Sequence, residues 1–230
     1  MARCMGAIKE MKMLIVGDSY AVNFSDLYWP AIIENYFNCE VDNHARSASS
    51  VPYSYKQLTH ALKINKYDVV IVALTSADRP YHTDMIIHGG FPQYNDGTPV
   101  SKEIQKAIQS YYVHLYDIEN TSITHGMFCR ALAQLSLEYM QTKFIFLPAF
   151  NEFEKVRVGN CVITTQRLIH YSMLDQEGHA AELRGECVEK PNHLTFFQNQ
   201  TLANYIITFI NDYKFGRIVY KNIKNMEILK

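Results

Sequence analysis

Two residues in this sequence have the side chains and the settings for nucleophilic chemistry. Ser19 stands in Gly17-Asp18-Ser19, directly after the apolar run Met13–Val16. A serine just past a first parallel strand sits at the mouth of the sheet, where a substrate can reach its hydroxyl. A helix N-terminus following it would favour developing negative charge. A serine needs a base, usually a histidine within hydrogen-bond reach. His193 stands in "KPNHLTFFQNQTLANYI", where Pro191 and Asn192 break the preceding structure and an amphipathic segment follows, so it occupies a helix entrance. His60 and His114 fall on helical segments, and His82 and His88 in a long loop, without such a setting. Each residue also has a plainer use: Gly17 as a turn, Asp18 or Ser19 as a helix cap, His193 as a surface residue.

Other chemistry finds no footing. The sequence contains no G-x-S-x-G elbow, P-loop, G-x-G-x-x-G or H-E-x-x-H. The five cysteines, Cys4, Cys39, Cys129, Cys161 and Cys187, form no C-x-x-C pair, which argues against a structural zinc site and a disulfide framework. Reduced thiols, no metal and no cofactor are the expectation. The net charge of −1 has acids and bases interspersed, so no nucleic-acid footprint appears. No apolar run approaches the roughly 18 residues of a membrane span, and "MARCMGAIKEMKM" lacks the apolar core of a signal peptide. Synthesis in the cytosol follows as an expectation.

The elements that must position these residues are legible in outline. With 230 residues and 48% apolar composition, the chain is expected to form one domain over residues 1–230 with a sizeable core. Apolar runs at Met13–Val16, Cys39–Val41, Val69–Leu74 and Phe144–Leu147 read as strands. "DVVIVALTS" is apolar without alternation, as in a strand covered on both faces. Helical spacing marks Asp26–Phe37, Tyr55–Ile64, Ile104–Leu115, Met127–Met140 and Thr195–Tyr213, with a short helix around Thr165–Leu174. Alternating strands and helices predict a three-layer α/β/α sandwich with a mainly parallel, flavodoxin-like sheet. Ligand sites then lie at the carboxyl ends of the strands. The Gly-, Pro- and Asp-rich stretch 79–101 reads as a long loop at the rim of the site. The segment 151–189 reads as irregular, and the C-terminal "GRIVYKNIKNMEILK" as an edge strand or a tail.

Four pieces of the sequence together resemble the SGNH (GDSL) hydrolases. "IVGDSY" is similar to that family's first block, in which the serine follows Gly-Asp after the first strand. "NHARSASS", from Asn43, resembles the second, "DVVIVALTSAD" the third, and "HLTFFQNQTLA" the last, which opens on the histidine. They occur in family order across most of the chain, and Pro148 after "FIFL" suits the family's fourth strand. Asn-x-Ala with Ser-Ser, and a third strand ending in Thr, also resembles members of this fold encoded by tailed phages.

The resemblance implies an SGNH fold and a serine esterase acting on an acyl or acetyl ester, a carbohydrate ester among the candidates. Ser19 would attack the carbonyl, and His193 would take its proton and later protonate the leaving alcohol. The N–H groups of Ser19 and of Ala48 or Ser49 would hold the oxyanion. Three departures from the family pattern stand out. Ala48 or Ser49 occupies the second block's glycine position. Thr75 and Ala77 replace the third block's glycine and asparagine, leaving Asp78 as the match. Loss of one such side-chain donor costs about 10²–10³ in rate, unless the Thr75 or Ser76 hydroxyl substitutes. Lys190 stands where the family has its aspartate, three residues before the histidine, with Glu189 one residue further back. A Ser-His dyad without the usual acid is therefore expected, with Asp18, Asp78 and Glu189 as the carboxylates in reach of a supporting role. Arg79 is a candidate contact for an anionic or sugar ligand, with a surface salt bridge as its alternative. The competing reading is a catalytically silent SGNH-fold protein kept for binding or virion structure, with a homo-oligomer or a phage particle as its partner.

Overall fold

The run after Met11 becomes strand β1 (Lys12–Val16), whose last four residues are fully covered. The computed structural model describes residues 11–77, 79, 81–82, 85–88, 91–94, 97–148, 161–163, 194 and 196–212. After β1 come helix α1 (Trp29–Phe37), β2 (Glu40–Asn43), α2 (Val51–Ile64) and β3 (Val69–Leu74). A hairpin of β4 (Met85–His88) and β5 (Phe91–Tyr94) follows, then α3 (Lys102–His114) and α4 (Ile118–Glu138). β6 (Lys143–Pro148), β7 (Cys161–Ile163) and a last helix, here α5 (Phe196–Asp212), complete the described chain.

The main sheet runs β2-β1-β3-β6-β7, with every described neighbour pair parallel. The residues of β3 are buried throughout, because helices cover both faces. Side chains alternate across the sheet. Met13 and Ile15 of β1 and Val69, Ile71 and Ala73 of β3 face one layer with Ile33 of α1 and Leu202 and Ile206 of α5. Leu14, Val16, Val70, Val72 and Leu74 face the other, with Leu58 and Ala61 of α2 and Leu132 of α4. This is the three-layer α/β/α architecture expected from the alternating pattern. The chain passes from β1 to β2 on one side and returns to β3 on the other, so the carboxyl ends of β1 and β3 flank a topological switch point, where ligands of such sheets bind.

Several expected boundaries shift. α1 starts at Trp29 rather than Asp26, and its N-cap Tyr28 makes no side-chain cap bond. α2 starts at Val51 instead of Tyr55: Ser50 accepts from Tyr53 N–H, and Pro52 is tolerated in a first turn, where N–H groups lack helical partners. α4 starts at Ile118, well before Met127, because Asp117 accepts from the N–H groups of Glu119 and Asn120. The stretch 79–101 is not wholly a loop, since it holds the antiparallel β4–β5 pair. Within 151–189, Cys161–Ile163 pairs with β6 as a strand rather than lying in irregular chain. The helix expected around Thr165–Leu174 and the C-terminal tail lie outside the described residues.

Candidate active site

The carboxyl end of β1 runs straight into Gly17, whose φ of +152° lies in territory that disfavours a side chain. A Cβ there would meet the Ala73 Cβ at 2.6 Å and the Ala73 carbonyl oxygen at 2.8 Å, so only glycine lets this turn lie against β3. Asp18 and Ser19 follow in a turn closed by the Ala21 N–H donating to the Asp18 carbonyl at 3.0 Å. Asp18 is fully buried and Ser19 nearly so, at 8% exposure. Asp18 does not cap a helix: its Oδ1 accepts from Tyr20 N–H at 3.0 Å, a local turn bond. Nor does a helix begin at Ser19, since α1 starts ten residues later at Trp29. The expected helix-dipole contribution at Ser19 is therefore absent.

The β2–α2 loop is fastened to this turn at the Gly17 carbonyl. The Gly17 carbonyl accepts from Arg46 N–H at 3.0 Å and from the Ser49 hydroxyl at 2.7 Å. Asn43 adds a second tie, donating from Nδ2 to the Ala21 carbonyl at 2.9 Å. Between them Ala48 adopts φ +57°, the left-handed region, which costs a non-glycine residue about 1–2 kcal/mol. This geometry separates the two oxyanion candidates of the second loop. Ser49 N–H is already given to the Arg46 carbonyl at 3.1 Å. Ala48 N–H and Ser19 N–H have no hydrogen-bond partner among the described residues. The Ser19 hydroxyl likewise has none there.

Arg79 corrects one expectation. Its described salt bridge is buried rather than on the surface: its Nη1 reaches Asp18 Oδ2 at 2.9 Å, with the two side chains 5% and 0% exposed. The pair ties the chain after β3 to the turn that carries Ser19. Thr75 at the end of β3 is buried, and its hydroxyl lacks a hydrogen-bond partner among the described residues. Ser76, Ala77 and Arg79 line a cleft of about 430 Å³ that runs on toward α2 and α4 and does not include Ser19.

His125 of α4, which the sequence did not single out, also lines this cleft. Its Nε2 lies 3.0 Å from the Thr75 carbonyl, which can only accept, so that nitrogen carries the proton. Its Nδ1 lies 3.7 Å from the Cys129 sulfur, and burial pushes the Cys129 thiol up to about 12. His125 thus links α4 to the end of β3.

His193, Glu189 and Asp78 lie outside the described residues. Leu194 is described, and it reaches the Ser19 turn through a short relay. Asn199 in the first turns of α5 donates from Nδ2 to the Leu194 carbonyl at 3.1 Å and accepts from Trp29 N–H at 3.1 Å. The Trp29 indole N–H in turn donates to the Tyr20 carbonyl at 2.6 Å. Leu194, Tyr20, Ala21 and Trp29 share one core cluster. Asn199 itself is buried.

No family model and no curated protein matches the sequence. Among solved structures, the chain is similar to Axe2, an acetylxylan esterase from Geobacillus stearothermophilus, at 12% identity and a TM-score of 0.50, over 90% of this chain and 96% of that one. The fold is that of the SGNH hydrolases. Two further similar structures are the acetyl xylan esterase AlAXEase (11% identity, 87% of this chain and 100% of that one, TM-score 0.47) and the psychrotrophic esterase EstA from Pseudoalteromonas sp. (9%, 88% and 98%, 0.45). At such identities the likeness concerns the fold.

Proposed function

We propose that this SGNH-fold protein is a serine esterase in which Ser19 attacks an acyl or acetyl ester and His193 serves as its base. The observation that carries the reading is the relay from Leu194 through Asn199 and Trp29 to Tyr20. It joins the immediate chain neighbours of the two residues although they stand far apart in sequence. The Ser19 and Ala48 N–H groups, without protein partners among the described residues, are the donors for the oxyanion. The reaction balances without a cofactor. Ser19 Oγ bonds to the carbonyl carbon as His193 takes the hydroxyl proton. The ester C–O bond then breaks as that proton passes to the leaving alcohol, and water repeats the sequence on the acyl-enzyme.

A catalytically silent binding or virion protein is the second reading. What favours it is Ala77, which offers no amide where the family pattern has one, and Lys190, which offers no carboxylate. Hydrolysis of acetyl and short acyl p-nitrophenyl esters separates the two. The esterase reading expects turnover that disappears in Ser19→Ala and His193→Ala. Equal background rates in all three proteins, each folded by circular dichroism, favour the binding reading.

A further inference from the structure

The cleft beside the Ser19 turn has a chemistry of its own. Its walls are the first turn of α2, the end of β3 with Arg79 and Tyr81 beyond it, the end of α3 and the first turns of α4. At about 430 Å³ it falls within the range of about 300–1,000 Å³ typical of small-molecule sites. Three aromatic rings line it, Tyr81, Tyr111 and Phe128. Phe128 is braced edge-on by Tyr55 at a centroid distance of 5.7 Å, and Tyr111 by Tyr112 and Tyr116 at 5.6 and 6.4 Å. Tyr81 and Tyr111 remain 40% and 41% exposed, leaving ring surface open at the mouth.

The charged groups of the cleft are engaged. Arg79 is ion-paired with Asp18, and Asp117 accepts from the first N–H groups of α4 and from Asn120 Nδ2. By contrast, the hydroxyls of Ser76 and Thr124 and the Asn120 side-chain carbonyl have no hydrogen-bond partner among the described residues. A site with open hydroxyl and amide groups, exposed aromatic faces and no uncommitted charge suits a neutral ligand that is polar at its edges and apolar on its faces. A pyranose ring has that form, with equatorial hydroxyls around the rim and C–H bonds over the face.

We infer that this cleft is a binding site for neutral saccharides. Where the inference assigns the sugar as the alcohol of the ester, it rests on the esterase reading; the binding itself does not. The site is lined chiefly by the end of α3 and the first turns of α4, and Arg79, which also lines it, links it to the Ser19 turn through Asp18.

The test is saturation-transfer NMR on the Ser19→Ala protein, in which nothing is turned over, with xylobiose, cellobiose and N,N′-diacetylchitobiose as probes and glucuronate and citrate as charged comparators. The expected result is saturable millimolar binding of at least one neutral disaccharide. Tyr111→Ala should weaken it on the order of fivefold to tenfold, the loss of one stacked ring. Thr124→Val should weaken it by a smaller factor. Absence of binding by all three sugars to the folded protein overturns the inference. So does binding unaffected by both substitutions, or a preference for the charged comparators. Loss of the esterase reading would show separately, as wild-type protein that hydrolyses no ester yet still binds sugar.

Discussion

Replacing Arg79 by methionine is the sharpest perturbation of the Ser19 turn. Methionine keeps the apolar stem that fills the space but removes the guanidinium from Asp18. In the native protein Asp18 is fully buried, with Arg79 Nη1 at 2.9 Å and Tyr20 N–H at 3.0 Å as its described partners. One N–H is too little for a buried carboxylate, and breaking such a pair on one side costs about 3–5 kcal/mol. For a chain of this size that corresponds to a fall in melting temperature of about 6–20 °C. The double variant Asp18→Asn/Arg79→Met removes both charges and keeps an acceptor for Tyr20 N–H, so it should regain about 2 kcal/mol or more of the loss. Urea unfolding followed by Trp29 fluorescence measures both. Trp29 is the chain's single tryptophan, is fully buried, and donates to the Tyr20 carbonyl beside the pair. An Arg79→Met loss below about 1 kcal/mol with an unchanged m-value, or a double variant no more stable than the single, would refute the reasoning.

Further outcomes follow from the same geometry. Gly17→Ala must both push against Ala73 and hold a side chain at φ +152°, so it should cost about 2–4 kcal/mol by thermal melting. Ala48→Gly should stabilise by up to about 1 kcal/mol in urea, because relief of left-handed strain outweighs the added chain entropy. The Cys129 thiol, raised by burial to about 12 from an ordinary 9.0, makes the folded state hold a proton that the unfolded state releases. Its linked contribution is therefore fully present below pH 9 and falls away as pH rises toward 12, and iodoacetamide at about pH 8 should alkylate Cys129 only after unfolding.

How far the sequence reveals this protein depends on the range of the interactions involved. β1, β3 and β6 are readable because strands covered on both faces are apolar at every position, a local signal. The start of α4 was hidden because residues 118–126 are largely polar and only the Asp117 cap announces the helix. The β4–β5 hairpin was missed because the glycines and Pro92 interrupt any alternation. Ser19 is legible because Gly-Asp-Ser directly follows an apolar run. Its supports are not: the Asp18–Arg79 pair spans 61 residues and the Asn199–Trp29 bond 170, and no local pattern encodes either. For the same reason Arg79 reads from the sequence as a ligand contact or a surface salt bridge and not as the buried partner of Asp18. The left-handed Ala48 was half legible, as an alanine in a position where the resemblance expects glycine.

The measurement that tests the central claim most directly is labelling with a fluorophosphonate probe, with the modified residue located by peptide mass spectrometry. The account predicts one adduct, on Ser19, formed in the native protein, not formed when the protein is unfolded before the probe is added, and abolished in His193→Ala. Folded wild-type protein that takes up no probe, or takes it up at another residue, would contradict it.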